Sequence, residues 1–472
     1  MKKSVGTNIF YNVARTALSI VFPLITFPYI TRKLGADAIG RYNFSISIVS
    51  YFILIAGLGI NTYAVREGTK EVSDKKKISK FSNQIFTINI IATLCSYILM
   101  TMLIYFIPRF AEYRETILIL SLEIICTTVG VNWLFSIYEN FKILTIAYFI
   151  TQCISLILMF VFVQTQADYI KYIWIATFIS IFPNLFCFIY SRRYVKISLT
   201  LHPEIKHHIR PILLLFATTI ATTIYVSADT TMLGWMTTNT VVGYYSVSAK
   251  IYKIVKQVLN SIVLVIIPRA ASLVQNDGEF RKLVSIAGNA LILLLLPAMV
   301  GLFVLSPEIV YVIAGEEFIK ATSSLRILSV ALFFSVIGNL YANCILIPLK
   351  KEKEVLKITI VSAIVNVGLN LFLIPVYGQN AAALTTLISE ILVVVYCMFV
   401  AKKQFNMSLE LDLRSIVISC ISSIAIVGIC ILVKAIFINQ IMRMIVGTFL
   451  SVSMYLIVLV KTKNPYVRAF IK

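Results

Sequence analysis

Seven ionisable side chains fall inside long apolar stretches of this 472-residue sequence: Arg15, Glu123, Asp229, Lys250, Lys253, Lys256 and Glu390. A charge at the centre of a lipid-spanning helix costs about 2.5–3.5 kcal/mol on insertion scales, so each one retained there is expected to face water, a partner or a ligand. Lys250, Lys253 and Lys256 recur every three residues, a spacing that keeps neighbours on one helical face and walks the charge slowly around it. With Arg15 they make four cations against one nearby carboxylate, Asp229, and the chemistry that fits such a surplus is neutralisation of a bound anion. Asp229 is flanked by Ser227, Thr230 and Thr231, a polar patch ill suited to lipid; it is expected to serve as counter-ion to Lys250 or Lys253, or as a proton or sodium site. Glu123 and Glu390 are expected to be either ion-coupling groups or structural partners. The competing reading for Arg15 and the lysines is that their long stems snorkel to a membrane surface.

Uncharged polar residues cluster on the same stretches: Asn8 and Asn12 beside Arg15, Asn61 in the next stretch, and Tyr225 beside Asp229. They predict a hydrated lining able to hydrogen-bond hydroxyl-rich ligands, although many polar side chains in membrane helices merely bond their neighbours. Nothing in the sequence has the spacing of a phosphate-cradling glycine loop, an HExxH zinc site or a GxSxG nucleophile elbow, so neither catalysis nor a cofactor is expected. Energy for any transport would then come from an ion gradient, the membrane potential or the ligand's own gradient. The three histidines, His202, His207 and His208, share one basic segment, where solvated side chains are the default expectation. The eight cysteines lie in apolar runs without CxxC or metal-ligand spacing, which predicts buried or lipid-facing thiols and no disulfide.

The elements that must carry these residues follow from composition. The chain is 59% hydrophobic and only 13% charged, with a mean hydropathy of +0.91. A soluble chain is about one quarter charged, so water is the wrong solvent for most of this one. Spans of about 20 apolar residues are predicted around Val21, Ser50, Cys95, Thr127, Ser155, Phe182, Thr223, Val255, Leu295, Phe334, Asn366, Leu392, Ile426 and Leu450. Their apolar runs are continuous, without the alternation of barrel strands, so the expected fold is an all-α polytopic membrane protein of about fourteen helices. The first apolar stretch is too long for a signal peptide's core and is expected to be the first span. The net charge of +21 sits largely in short loops on alternate sides. That is the pattern of membrane orientation, not of a nucleic-acid face, and it predicts both termini in the cytoplasm.

The chain also repeats itself. At a constant offset of 203 residues Gly40 matches Gly243, Tyr42 matches Tyr245, Ser45 matches Ser248 and Arg66 matches Arg269. Near an offset of 209, Thr177 and Ser180 match Thr386 and Ser389. The predicted organisation is a six-helix lobe at 1–198, a second at 199–403 related to it by a pseudo-twofold axis along the membrane normal, and two further helices with a cytoplasmic tail at 404–472. Transporters built this way bind between their halves and rock one against the other.

The ordered set of motifs carries a family resemblance across essentially the whole chain. It begins with Leu34-Gly35-Ala36-Asp37-Ala38-Ile39-Gly40-Arg41-Tyr42, Gly57-Leu58-Gly59-Ile60 and Arg66-Glu67. It continues through Asp229-Thr230-Thr231-Met232-Leu233-Gly234, Val242-Gly243-Tyr244-Tyr245-Ser246 and Ala249-Lys250-Ile251. It ends with Pro268-Arg269, Ile347-Pro348-Leu349, Asn366, Asn370 and Tyr377-Gly378. This set resembles the Wzx-type O-antigen and capsule repeat-unit flippases, the polysaccharide-transporter branch of the multidrug/oligosaccharidyl-lipid/polysaccharide exporter superfamily. The resemblance implies two six-helix lobes plus two helices, a cationic central cavity, and alternating access in a bacterial cytoplasmic membrane. The implied substrate is an oligosaccharide joined by pyrophosphate to undecaprenol; the implied protein partners are a polysaccharide polymerase and chain-length proteins. Related lipid II flippases carry a basic residue where Lys250 stands. The alternatives are a multidrug or cation exporter of the same fold, whose lumen should be acidic, and a non-transporting component of glycan assembly, for which a polymerase's large outer loops would be expected.

Overall fold

The computed structural model describes residues 5–462, with the side chains of 5–10, 12 and 218 outside the described set. Among the described residues sixteen α-helices follow one another: α1 (Val5–Gly57), α2 (Ile60–Glu71), α3 (Lys75–Phe106), α4 (Arg114–Val129), α5 (Asn132–Ile137), α6 (Phe141–Phe162), α7 (Tyr169–Ser191), α8 (Ile205–Met236), α9 (Asn239–Leu273), α10 (Asp277–Val304), α11 (Ser306–Ala314), α12 (Ala321–Leu340), α13 (Glu352–Tyr377), α14 (Gln379–Phe405), α15 (Leu413–Ile436) and α16 (Gln440–Lys461). Thirteen helical runs among the described residues are long and apolar enough to cross a bilayer. The first, Val13–Glu71, accounts for two of the predicted spans. At 53 residues α1 alone would extend about 80 Å, far beyond the roughly 30 Å hydrocarbon layer. It is interrupted at Gly35, whose φ of 78° is open to glycine and costly for other residues. The fold is therefore the expected all-α polytopic one, and the chain is a multi-pass membrane protein.

The helices gather into two compact units, Met1–Thr231 and Met232–Lys472. In the first unit α1 packs on α3, α4 and α6, while α7 packs on α4 and α6. Asn89 and Ser96 of α3 hydrogen-bond the carbonyls of Ala56 and Phe52, which fastens the second half of α1 without any charge. A core of Ile60, Tyr63, Ile78, Phe81, Ile85, Trp133 and Ile212 joins α2, α3 and α5 to the start of α8.

His208 belongs to this core and is only 3% exposed, contrary to the expectation of a solvated loop histidine. Its Nε2 faces Gln84 Oε1 at 3.2 Å and its Nδ1 faces the Tyr63 hydroxyl at 2.8 Å. With the Gln84 oxygen as acceptor, Nε2 donates and Nδ1 accepts from Tyr63, so both ring nitrogens are satisfied by a neutral imidazole. The ring also stands edge-on to Tyr63 and Phe81. Beside it, Lys80 and Glu204 form a 2.7 Å ion pair.

In the second unit α12 packs against α9, α10 and α14, and α13 lies along α14. Ser248 of α9 bonds the Ala321 carbonyl and the Ser324 hydroxyl of α12, at 2.7 and 2.8 Å, in fully buried surroundings. The last two helices attach to this unit, α15 to α10 and α16 to α11. Asn289 of α10 donates to the Glu410 carbonyl and accepts from the Asp412 amide, both at 2.8 Å. Lys434 of α15 donates to the Val304 carbonyl at 2.7 Å and pairs with Glu308 at 3.2 Å. All eight cysteines are free thiols, five of them buried.

Asp412 caps α15 by accepting from the Arg414 and Ser415 backbone N–H groups and from the Ser415 hydroxyl. The Ser415 hydroxyl, helped by these N–H groups and the Arg414 charge, holds the Asp412 carboxyl below its usual value. A carboxylate whose value is depressed by folding contributes stability above the unfolded value of about 4. That contribution disappears as the pH falls through the folded value. Asp412→Ala should therefore cost about 1 kcal/mol at neutral pH. In thermal melts of detergent-solubilised protein the gap between variant and wild type should close as the pH is lowered below about 4.

Candidate functional site

Within the first unit, the structure places Arg15 half-buried on α1 with its guanidinium 6.0 Å from the centre of the Tyr148 ring of α6. Among the described residues it forms no ion pair, so a planar cation lies against an aromatic face with its charge unspent on a carboxylate. The Asn8 and Asn12 side chains, predicted to line the same region, lie outside the described residues. Asn61 is exposed on α2 and Tyr225 is half-buried on α8.

Asp229, on α8, is 6% exposed. The polar neighbours that the sequence placed around it meet a matching strip on the second half of α1. Thr231 lies 3.0 Å from the Ser47 hydroxyl and 3.2 Å from that of Tyr51, and Ser227 lies 3.5 Å from Ser50. Of this strip, Tyr51 lies near enough to Asp229 to feel its charge. Glu123 of α4 is half-buried and hydrogen-bonded to Ser180 of α7.

The second unit resolves the basic stripe of α9 into two kinds of cation. Lys256 pairs with Glu390 of α14 at 3.0 Å, and its ammonium lies 5.4 Å from the centre of the Tyr252 ring one turn earlier. Glu390 is 5% exposed, and the same Oε1 also accepts from the Tyr252 hydroxyl at 3.2 Å and the Ser335 hydroxyl at 2.7 Å. Lys250 is half-buried and Lys253 exposed. At 100° per residue they lie about 120° and 60° around α9 from Lys256, off the face that meets Glu390.

One turn beyond Lys256, Asn260 accepts from Asn339 of α12 at 2.8 Å, and Asn343 bonds Asn339 in turn. Asn343 sits in a π-helical turn, Tyr341–Leu346, that ends the α12 span. The sequence reading missed Ser335, Asn339 and Asn343. Their signal was present: polar residues at spacing four inside an apolar run share one helical face, as Tyr252, Lys256 and Asn260 do on α9. Among the described residues no cluster of His, Cys, Asp or Glu could hold a metal ion. What the candidate residues offer is charge and hydrogen bonding.

A sequence family described as "Polysaccharide biosynthesis protein" matches residues 5–274. A protein of Escherichia coli (strain K12) named "Putative O-antigen transporter" is 26% identical over 407 residues, which cover 83% of this chain and 95% of that protein. A protein of the same name from Shigella dysenteriae is 22% identical over 385 residues, 81% of this chain and 96% of that one. Among solved structures, the lipid II flippase MurJ in an inward closed conformation superposes with a TM-score of 0.80 at 17% identity, covering 98% of this chain and all of that one. An inward-facing multidrug resistance MATE family transporter of the MOP superfamily gives 0.61 at 13% identity, covering 84% of this chain and 98% of the other. These likenesses show the fold.

Proposed function

Because the chain belongs to the polysaccharide biosynthesis protein family, we propose that it is a flippase that carries undecaprenyl-pyrophosphate-linked oligosaccharide repeat units from the cytoplasmic to the outer leaflet. In this reading it serves O-antigen, capsule or exopolysaccharide synthesis in a bacterial cytoplasmic membrane, with both termini in the cytoplasm. The lobes are 1–198 and 199–403, with 404–472 added, and they work by alternating access driven by an ion gradient or the membrane potential. The observation that carries the reading is the cation surplus of the membrane helices. With Lys256 paired to Glu390, Arg15, Lys250 and Lys253 still outnumber the two other carboxylates of the apolar stretches, Asp229 and Glu123. A pyrophosphate answers that surplus, and polar side chains such as Asn61 and Tyr225 suit sugar hydroxyls. Asp229 and Glu123 are the groups assigned to ion coupling. Support also comes from the names of the two relatives and from the fold shared with a lipid II flippase. The protein partners of this reading are a polymerase and chain-length proteins.

The likeness to a multidrug transporter supports a second reading, a cation exporter. Deleting the gene separates the two. The flippase reading expects lipid-linked repeat units to accumulate on the inner leaflet, with no change in tolerance to cationic drugs. Drug sensitivity without such accumulation would overturn it.

A further inference from the structure

We propose that the Lys256–Glu390 pair is a register clamp, fixing how α9 is turned against α12 and α14 and so positioning Lys250 and Lys253. The proposal rests on the flippase reading only for what those two cations bind. It gives Lys256 and Glu390, which the sequence suggested as a substrate ligand and an ion-coupling group, a shared positioning role instead.

A single carboxylate oxygen on α14 holds three donors, Lys256 and Tyr252 from α9 and Ser335 from α12, so three helices meet at one atom. The contact continues along the same seam through Asn260 and Asn339. A buried ion pair adds little net stability, because desolvation offsets its attraction, but removing one partner is severe, and a buried polar contact can select one arrangement over others. Here a turn or slide of α9 by one residue would carry Lys256 about 100° around the helix and leave Glu390 bare. The stripe's azimuth is thereby tied to the clamp. The Lys256 ammonium is already held by a carboxylate and an aromatic face, which is the environment of a fixed structural cation, not of one that binds and releases cargo.

The test uses full-length protein in vesicles, with initial rates of translocation of a fluorescent pyrophosphate-linked oligosaccharide measured against its concentration. Lys256→Met and Glu390→Gln should each lower the maximal rate by at least about tenfold and change the half-saturating concentration less than about twofold. The exchanged double variant Lys256→Glu/Glu390→Lys should recover much of the rate, because the ion pair between α9 and α14 is then restored. If Lys256 instead touches the cargo, Lys256→Met should raise the half-saturating concentration and the double variant should stay as impaired as Lys256→Met alone; that result overturns the proposal. Should the single variants fold poorly, Lys256→Arg and Glu390→Asp provide milder lesions of the same pair, for which the same split between rate and half-saturation is expected.

Hydrogen exchange of the 246–258 backbone supplies a readout independent of transport. The single variants should lose protection there and the double variant should regain it. Absence of translocation by wild type, with this exchange pattern intact, would remove the flippase reading and leave the clamp. Unchanged exchange in both single variants would remove the clamp whatever the transport result.

Discussion

Vesicles carrying Arg15→Ala/Lys250→Ala should translocate a pyrophosphate-linked oligosaccharide at about one hundredth of the wild-type rate or less. A hydrogen bond to a charged group contributes about 1.5–3 kcal/mol, and 1.4 kcal/mol is about tenfold, so two lost contacts give about two to four orders of magnitude. The fold should survive. Arg15 is half-buried and, among the described residues, its contact is the Tyr148 face; Lys250 lies off the seam that joins α9 to Glu390. Removing two charges from apolar helices also relieves an insertion cost. Lysine at 15 or arginine at 250 should retain more activity than alanine, since charge is kept while geometry changes. Flipping at the wild-type rate in the double alanine variant would refute the roles given to both residues.

Gly59→Val should abolish recovery of monodisperse folded protein, whereas Gly57→Ala should behave as wild type. Gly59 has φ +69°, and a Cβ placed there would sit 2.9 Å from the Phe216 backbone nitrogen and 3.1 Å from the Leu215 carbonyl carbon. The left-handed backbone alone costs a residue with a side chain about 1–2 kcal/mol. The clash is with main chain of α8, which has no rotamer to give way, and valine adds two methyl groups to it. Nothing lies within 4 Å of the corresponding position at Gly57. Size-exclusion profiles and thermal melts of the two variants provide the comparison. Equal behaviour would show that the contact between the α1–α2 junction and α8 is dispensable.

The reach of the sequence can be judged at particular residues. The spans were legible because apolar length is a local property fixed by bilayer thickness. Even so, the junction between the first two spans is a helix broken at one glycine, Gly35, not an extended loop. The ionisable residues were legible as anomalies, because charge in an apolar run needs only composition to be seen. That Lys256 and Glu390 neutralise each other was not, since 134 residues separate them and periodicity says nothing across such a gap. The surroundings of Asp229 fell between these cases: its own flanking hydroxyls were visible, but Ser47 and Tyr51 opposite them were not. His208 was misjudged because its basic neighbours suggested water, while burial is decided by the Tyr63, Phe81 and Gln84 side chains that α2 and α3 bring to it.

The way α15 and α16 are held bears on how separable they are. Asn289 presents both ends of its amide to residues 410 and 412, and Glu308, 3% exposed, meets its opposite charge on Lys434. Cutting the gene before codon 404 would not yield a tidy twelve-span relative: Asn289 would lose its partners at 410 and 412, and the buried Glu308 would lose its cation. An engineered miniature would have to make both positions apolar before the final hairpin could be dispensed with.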